Sequence, residues 1–192
     1  MTTNDEAKLI SQIVNGDTHA FTKVVDAHKN LVFSLALRML KNQEEAEEVS
    51  QDTFVKVYKS LKKFKGDSKF STWIYRITYN TCLDRLKKSK KRFLEQELVE
   101  VQQHQIATLH NALDGMLLKE REEIIKSCLR YLPEEDAGLL TLFYFEDKNL
   151  KELEKIIDLS ANTIKVRLHR ARKKFATVLV NHIEPEILRN YG

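Results

Sequence analysis

Apolar residues recur at helical spacing almost without interruption, and this periodicity constrains the fold more than any other feature of the chain. Ile164, Leu168, Ala171 and Phe175 fall at i, i+4, i+7 and i+11, the signature of one buried helical face. Leu9, Ile10, Ile13 and Val14 form a shorter stripe, and Ala46, Val49, Thr53, Phe54 and Val57 form another. Residues 31–40 are apolar on most sides, which places that helix at the centre of a bundle. Only 5 Gly and 2 Pro punctuate 192 residues, and alternating β-branched runs are hard to find, so the chain is predicted to be all-α. Asn15-Gly16 ends the first helix, and Asp17 or Thr18 caps the second. A break falls near Lys41-Asn42-Gln43. Residues 64–70 make a loop in which Gly66 supplies backbone freedom and Ser68 is a capping residue. Pro133 stops one helix and opens the next at its first position, where its missing N–H costs nothing.

Residues 89–117 change character: they are acidic, rich in Gln, and poor in large apolar residues after Val101. Such a stretch works as a tether with weak helical tendency. The chain is therefore predicted to form two small helical domains joined by a flexible linker, the second a helix-turn-helix. The expected bounds are 1–90, a linker over 91–117, 118–180, and a C-terminal tail over 181–192. Cys82 and Cys128 stand 46 positions apart with no CxxC and no clustered His, which argues against a zinc site or a disulfide framework. No apolar run approaches the roughly 18 residues a membrane span needs, and the first residues lack a basic, apolar leader. A soluble, cytoplasmic protein without membrane insertion is expected. There is no Gly-rich phosphate loop, nucleophile triad or His-based metal motif, so no enzyme, metal or cofactor is expected.

Charge is unevenly placed. Residues 56–92 carry thirteen Lys or Arg against Asp67 and Asp84, a net charge of +11, and six aromatics: Tyr58, Phe64, Phe70, Trp73, Tyr75 and Tyr79. A basic surface follows a phosphate backbone by electrostatics and counterion release. Aromatic faces stack on bases that are unpaired or pulled from the stack. The combination points to single-stranded or melted nucleic acid; the plainer alternative is a core helix ringed by solvated lysines. The helix from Phe70 has two apolar faces, Phe70, Ile74, Ile77 and Thr81 on one side and Tyr75, Tyr79, Cys82 and Leu86 nearly opposite. Either the second face is simply buried, or some of its aromatics face DNA.

A second basic block covers residues 163–175, with six bases and no acid, and residues 93–123 between the blocks have a net charge of −5. Two basic blocks split by an acidic stretch suggest one polyanion touched at two places. Leu150, Leu153, Ile156 and Ile157 mark a short helix, broken at Asp158-Leu159-Ser160, with Ser160 capping the long basic helix. This is the helix-turn-helix pattern. At about 100° per residue the face opposite the buried stripe carries Val166, His169, Arg170 and Lys173, flanked by Lys165 and Arg172 on one edge and Arg167 and Lys174 on the other. The centre suits base reading, with Arg170 fitted to guanine and Val166 to a thymine methyl, while the edges and Thr163 suit phosphates. An ordinary exposed basic helix is the alternative, and Val166 counts against it. A third surface is acidic: Glu44, Glu47, Glu48, Gln51 and Asp52 lie outside the stripe of their helix. It is a solvated face or a dock for a basic partner; adjacent helical carboxylates do not converge on one metal ion.

Three segments in order resemble the extracytoplasmic-function sigma factors of bacterial RNA polymerase. They are Glu47-Glu48-Val49-Ser50-Gln51-Asp52-Thr53-Phe54; Phe70-Ser71-Thr72-Trp73-Ile74-Tyr75-Arg76-Ile77 with Asn80 and Asp84; and Leu132-Pro133 with Thr163-Ile164-Lys165-Val166-Arg167-Leu168-His169-Arg170-Ala171-Arg172. The resemblance covers about residues 17–90 and 120–178. It implies that Glu47, Glu48, Gln51, Asp52 and Phe54 dock on the β′ clamp helices of core RNA polymerase, with the β flap as a further contact. It implies that the loop with Phe64, Lys65, Ser68 and Phe70 captures a flipped base of the −10 element, and that Trp73, Tyr75, Arg76 and Asn80 serve −10 recognition and melting. The helix-turn-helix matches the −35 reader of promoter DNA, through Thr163, Lys165, Val166, Arg167, His169, Arg170 and Lys173. The tether matches the linker that runs through the RNA exit region, and an anti-sigma partner is expected. Glu154, Asn162 and Val166 depart from the small, glycine and small polar residues usual at their positions, which bears on the −35 sequence. A stand-alone dimeric regulator reading a palindrome does not explain the aromatics beside the first basic block. A metal-dependent nuclease built on residues 44–52 lacks convergent ligands.

Overall fold

In a computed structural model the backbone is described for residues 3–89 and 118–190, and the side chains for residues 6–88 and 123–181. The predicted tether lies outside the described residues. All regular structure among the described residues is helical. Helix α1 spans Thr3–Val14, α2 Thr18–Leu40, α3 Gln43–Ser60 with a 3-10 turn Leu61–Lys63 after it, and α4 Phe70–Ser89. The second module holds α5 Leu118–Leu129, α6 Glu134–Leu140 running into a π-helical turn Thr141–Phe145, α7 Leu150–Ile157 and α8 Ala161–Asn190. Helix α8 thus continues through most of the segment expected to be a tail.

Local chemistry explains most of the ends. Gly16 sits at φ 104 after α1, a conformation that suits glycine. Asp17 caps α2 by accepting the Ala20 N–H at 3.1 Å, and Asn42 caps α3 by accepting that of Glu45 at 2.9 Å. Lys41 ends α2 in the left-handed region, its N–H donated to the Leu37 carbonyl at 2.9 Å. Pro133 takes the capping position ahead of α6 rather than the first helical one, with φ −52 and ψ 142. The φ is the one its ring fixes, and Glu134, Glu135 and Asp136 then fill the first turn at the positive end of the helix dipole.

Two hydrophobic clusters hold the molecule. Leu9, Ile13, Val24, Val32, Val57, Leu61, Phe70 and Ile74 form one among α1–α4. The other joins the modules: Leu35, Met39, Tyr75, Tyr79 and Cys82 pack with Leu129, Leu132, Leu139, Leu153, Ile156 and Ile164. Both apolar faces of α4 are therefore used, Phe70 and Ile74 within the first module and Tyr75, Tyr79 and Cys82 against the second. Gly138 marks a close approach: a Cβ there would lie 3.0 Å from Met39 Sδ and 3.3 Å from Tyr79 Cε2. Glycine in a helix interior costs up to about 1 kcal/mol relative to alanine. Here it lets α6 lie directly on α2, with the Tyr79 ring of α4 against it.

Candidate nucleic-acid interfaces

Helix α7 begins with a capping box: Asn149 accepts the Glu152 N–H and Glu152 accepts that of Asn149, both at 3.1 Å. Asp158 closes the helix at φ 63 and turns the chain sharply. Ser160 then accepts the Thr163 N–H at 3.3 Å, opening α8. Glu154 reaches across the turn and accepts the Ala161 N–H at 2.6 Å, so the residue that departs from the family pattern holds the start of α8. Ile164, Leu168 and Ala171 are buried against α6 and α7, with Phe175 half-buried behind them.

Rotation by that stripe leaves Thr163, Lys165, Val166, His169, Arg170 and Lys173 exposed along one face. Val166 is 51% exposed. The far edge is engaged: Arg167 Nη1 lies 3.3 Å from Glu135, and Lys174 Nζ lies 2.7 Å from Asp136. Arg172 lies over the rings of Phe143 and Tyr144, 5.6 and 5.5 Å from their centroids. The π-helical turn delivers both rings.

The other basic surface combines the 64–70 loop and α4. Gly66 takes φ 78 at the loop tip, and Lys65 and Lys69 are exposed there. Phe64, Phe70 and Trp73 form one aromatic group, with Phe70 stacked on Trp73 at 5.8 Å and Phe64 5.3 Å from Trp73. Phe70 is buried within it, whereas Phe64, Ser68 and Trp73 are half-buried and Arg76 and Asn80 are exposed. Tyr75 is 1% exposed: it points under the second module and donates its hydroxyl to Glu146. Burial, aided by that carboxylate, pushes the Tyr75 phenol far above its ordinary pKa, and burial does the same to Tyr79. Neither ring is open to a base in this arrangement.

Further carboxylates of the second module face the same side of α4. Glu152 Oε1 lies 3.5 Å from Thr72 Oγ1 and 3.4 Å from Lys69 Nζ, and Asp158 Oδ2 lies 3.7 Å from Arg76. Burial works to raise the Glu152 pKa, but the Asn149 N–H and the Lys69 and Lys148 ammoniums outweigh it and hold the carboxyl below its usual range. Sequence reasoning missed these contacts. The N-x-x-E spacing at 149–152 signals a cap, but nothing local signals a partner about eighty positions away.

On α3 the acidic side chains Glu44, Glu47, Glu48 and Asp52, and Gln51 beside them, all face solvent. Glu48 is ion-paired with Arg85 of α4. Phe54 is half-buried, edge-on to Phe21 at 6.5 Å. Among the described residues no cluster of His, Cys, Asp or Glu is arranged to hold a metal ion, and no helix is long and apolar enough to cross a membrane.

Comparison with known proteins bears on the whole arrangement. Residues 24–92 match the model of sigma-70 region 2, and residues 122–175 match that of sigma-70 region 4. The chain is 32% identical to the ECF RNA polymerase sigma factor SigW of Bacillus subtilis, over 86% of this chain and 92% of that one. It is 28% identical to an ECF RNA polymerase sigma-E factor of Haemophilus influenzae over 92% of this chain and 94% of the other. The fold resembles the sigma factor RpoE of Bartonella quintana, solved with the anti-sigma factor NepR, with a TM-score of 0.61 at 20% identity, covering 83% of this chain and 96% of that chain. CnrH, solved with the cytosolic domain of CnrY, is similar with a TM-score of 0.56 at 22% identity, covering 91% of this chain and 96% of that one. Two sigma modules in the right order, and a relative above 30% identity along nearly its full length, settle the family: the chain is an extracytoplasmic-function sigma factor, which binds RNA polymerase core and directs it to promoter DNA to start transcription.

Proposed function

We propose that α8 reads the −35 element, that the 64–70 loop and α4 read and help to open the −10 element, and that α3 docks on the β′ clamp helices while the second module contacts the β flap. The domain bounds go with these roles: 1–90 for docking, −10 reading and melting, 91–117 as linker, 118–180 for −35 reading, and 181–192 as a tail. The observation that carries the −35 assignment is the exposed face of Thr163, Lys165, Val166, His169, Arg170 and Lys173, because an exposed valine amid cations suits a thymine methyl better than water. At the −10 element, Phe64, Lys65, Ser68, Trp73, Arg76 and Asn80 offer cationic, polar and aromatic groups at or near the surface. Phe70 supports that loop from beneath, and Tyr75 joins it once the second module moves away. Glu47, Glu48, Gln51, Asp52 and Phe54 form the polymerase side. Strand opening on this reading traps unpaired bases and uses no hydrolysis, so the chain is not itself an enzyme and acts in the cytoplasm. The two structural neighbours were solved with anti-sigma factors, which supports an anti-sigma partner for this chain.

Transcription in vitro with core polymerase and a genomic fragment library tests the assignment. Wild-type protein is expected to confer defined start sites, and Trp73→Ala to keep polymerase binding while losing permanganate-reactive thymines around the start. A Trp73→Ala complex with a normal permanganate pattern would remove α4 from strand opening.

A further inference from the structure

We infer that Glu135 and Asp136 are specificity-determining residues of the −35 reader: they cancel two cations of α8 and repel the phosphates of wrongly oriented DNA. The inference rests on the reading of α8 as the −35 helix. Residues 163–175 carry six bases and no acid, but the fold does not leave all six to DNA. Arg167 Nη1 lies 3.3 Å from the Glu135 carboxylate, and Lys174 Nζ lies 2.7 Å from that of Asp136. Both acids come from the first turn of α6, 32 and 38 positions away along the chain from the cations they meet. The opposite edge of α8 has the reverse balance. Lys165 and Arg172 open there onto a cleft that Lys148 and Lys151 also line, and Asp147 is its one acid among the described residues. Four cations stand with one acid on that side, and two stand with two on the side of α6.

Such lopsided charge acts on orientation. The Arg167, Glu135 and Lys174 side chains are half exposed, and pairs that open to water contribute little to stability. The consequence of the two acids therefore lies in the field they make at the edge of the DNA-binding face. Asp136 is the more fixed of the two, its side chain 17% exposed against 51% for Glu135. A cognate complex has one orientation, set by base contacts from the centre of α8. Non-specific complexes are held by phosphate contacts alone and sample many orientations, including those that roll α8 toward α6. In such a roll Glu135 and Asp136 meet the phosphates, and Arg167 and Lys174 are already occupied. The acids thus weaken wrong complexes more than the right one, which raises discrimination without a new contact to any base.

Anisotropy of fluorescein-labelled duplexes titrated with the full chain tests this, using the region upstream of a start site mapped by transcription in vitro and a scrambled version of it. Glu135→Gln combined with Asp136→Asn keeps both shapes and removes both charges. It is expected to raise affinity for the scrambled duplex about ten-fold and to steepen the salt dependence there by about two units of slope, one for each released cation. Affinity for the promoter duplex should rise by no more than about three-fold, so that discrimination falls. Should the double variant lose its helical circular dichroism, Glu135→Gln alone, at the more exposed site, is expected to give about half the steepening. Glu123→Gln combined with Asp147→Asn makes the same charge change away from Arg167 and Lys174, and should move both duplexes by one common factor. Equal gains on the two duplexes from the Glu135 and Asp136 changes, no gain at all, or the same loss of discrimination from the control pair overturns the proposal. Equal losses on the two duplexes for Arg170→Ala, by contrast, identify the −35 reading as the fault.

Discussion

At the scale of single residues, four side chains expose distinct balances. Arg170 lies at the centre of the exposed face of α8, and Lys165 at its edge. A bidentate Arg–guanine contact discriminates by about 1–3 kcal/mol, whereas a phosphate contact adds affinity on every sequence. Arg170→Ala is therefore expected to weaken −35 binding about ten-fold or more and relax the preference at one base pair. Lys165→Ala should lower affinity uniformly and flatten the salt dependence by roughly one unit of slope. Equal losses for Arg170→Ala on cognate and scrambled duplexes would remove its base-reading role. Thr53 Oγ1 is buried without a hydrogen-bond partner among the described residues. Thr53→Val keeps the shape and deletes the stranded hydroxyl, so it should stabilise by about 1 kcal/mol, or raise Tm by about 2–4 °C; an unchanged or lower Tm speaks against a stranded group. His28, edge-on to Phe70 at 5.7 Å, is held below its ordinary pKa of 6.5 by burial. Its unfolded form binds the proton more readily, so the native state loses stability as pH falls through 6.5, by at most about 1.4 kcal/mol per pH unit, and the loss levels off below the folded pKa. Chemical denaturation of His28→Leu between pH 7.5 and 5.5 should give the flatter profile.

At the scale of elements, α8 was the most legible part of the chain. Its stripe, its Ser160 cap and its exposed face are periodic and local, and periodicity specifies a helix's orientation before any partner is known. Glu154 was legible only as a departure. Its carboxylate serves an N–H seven positions later, across the turn that the left-handed Asp158 makes, and no local spacing signals that reach. Charged acceptors at a helix start contribute on the order of 1–2 kcal/mol. Glu154→Ala should therefore destabilise the protein by about that much and weaken −35 binding more than it weakens single-strand binding. Glu154→Gln, which keeps an acceptor, should recover most of both, and equal defects in the two variants would assign the effect to charge rather than to the bond. Helix α4 was half legible. Two apolar faces announced two burials, but the partner of the second comes from beyond the tether, and no local pattern names a surface so remote in sequence. That is why the choice between base contact and core stayed open for Tyr75 and Tyr79. Pro133 shows the opposite case, a single residue whose ring placed a helix start to within one position.

At the scale of the molecule, the question is whether two sigma modules on a tether behave as two bodies or one. Each ion pair across the seam is exposed enough that its contribution is about 0–1 kcal/mol and falls with salt. The apolar contribution is larger: a fully buried large side chain contributes about 1.5–3 kcal/mol, and the cluster joining α2 and α4 to the second module buries Met39, Tyr75 and Leu132 to 1% exposure or less. Apolar contact therefore outweighs charge, and unfolding either module strips the other of part of its core. Calorimetry of the full chain should show one transition, with matching calorimetric and van't Hoff enthalpies, that persists in 0.5 M salt (roughly a 4–5 Å screening length). Gly138→Leu should split it into two, because a Cβ alone would already lie 3.0 Å from Met39 Sδ and 3.3 Å from Tyr79 Cε2, and the larger leucine forces these neighbours to shift. Two transitions in the wild type, or one that divides on adding salt, would make the seam an electrostatic contact and leave the modules thermodynamically independent.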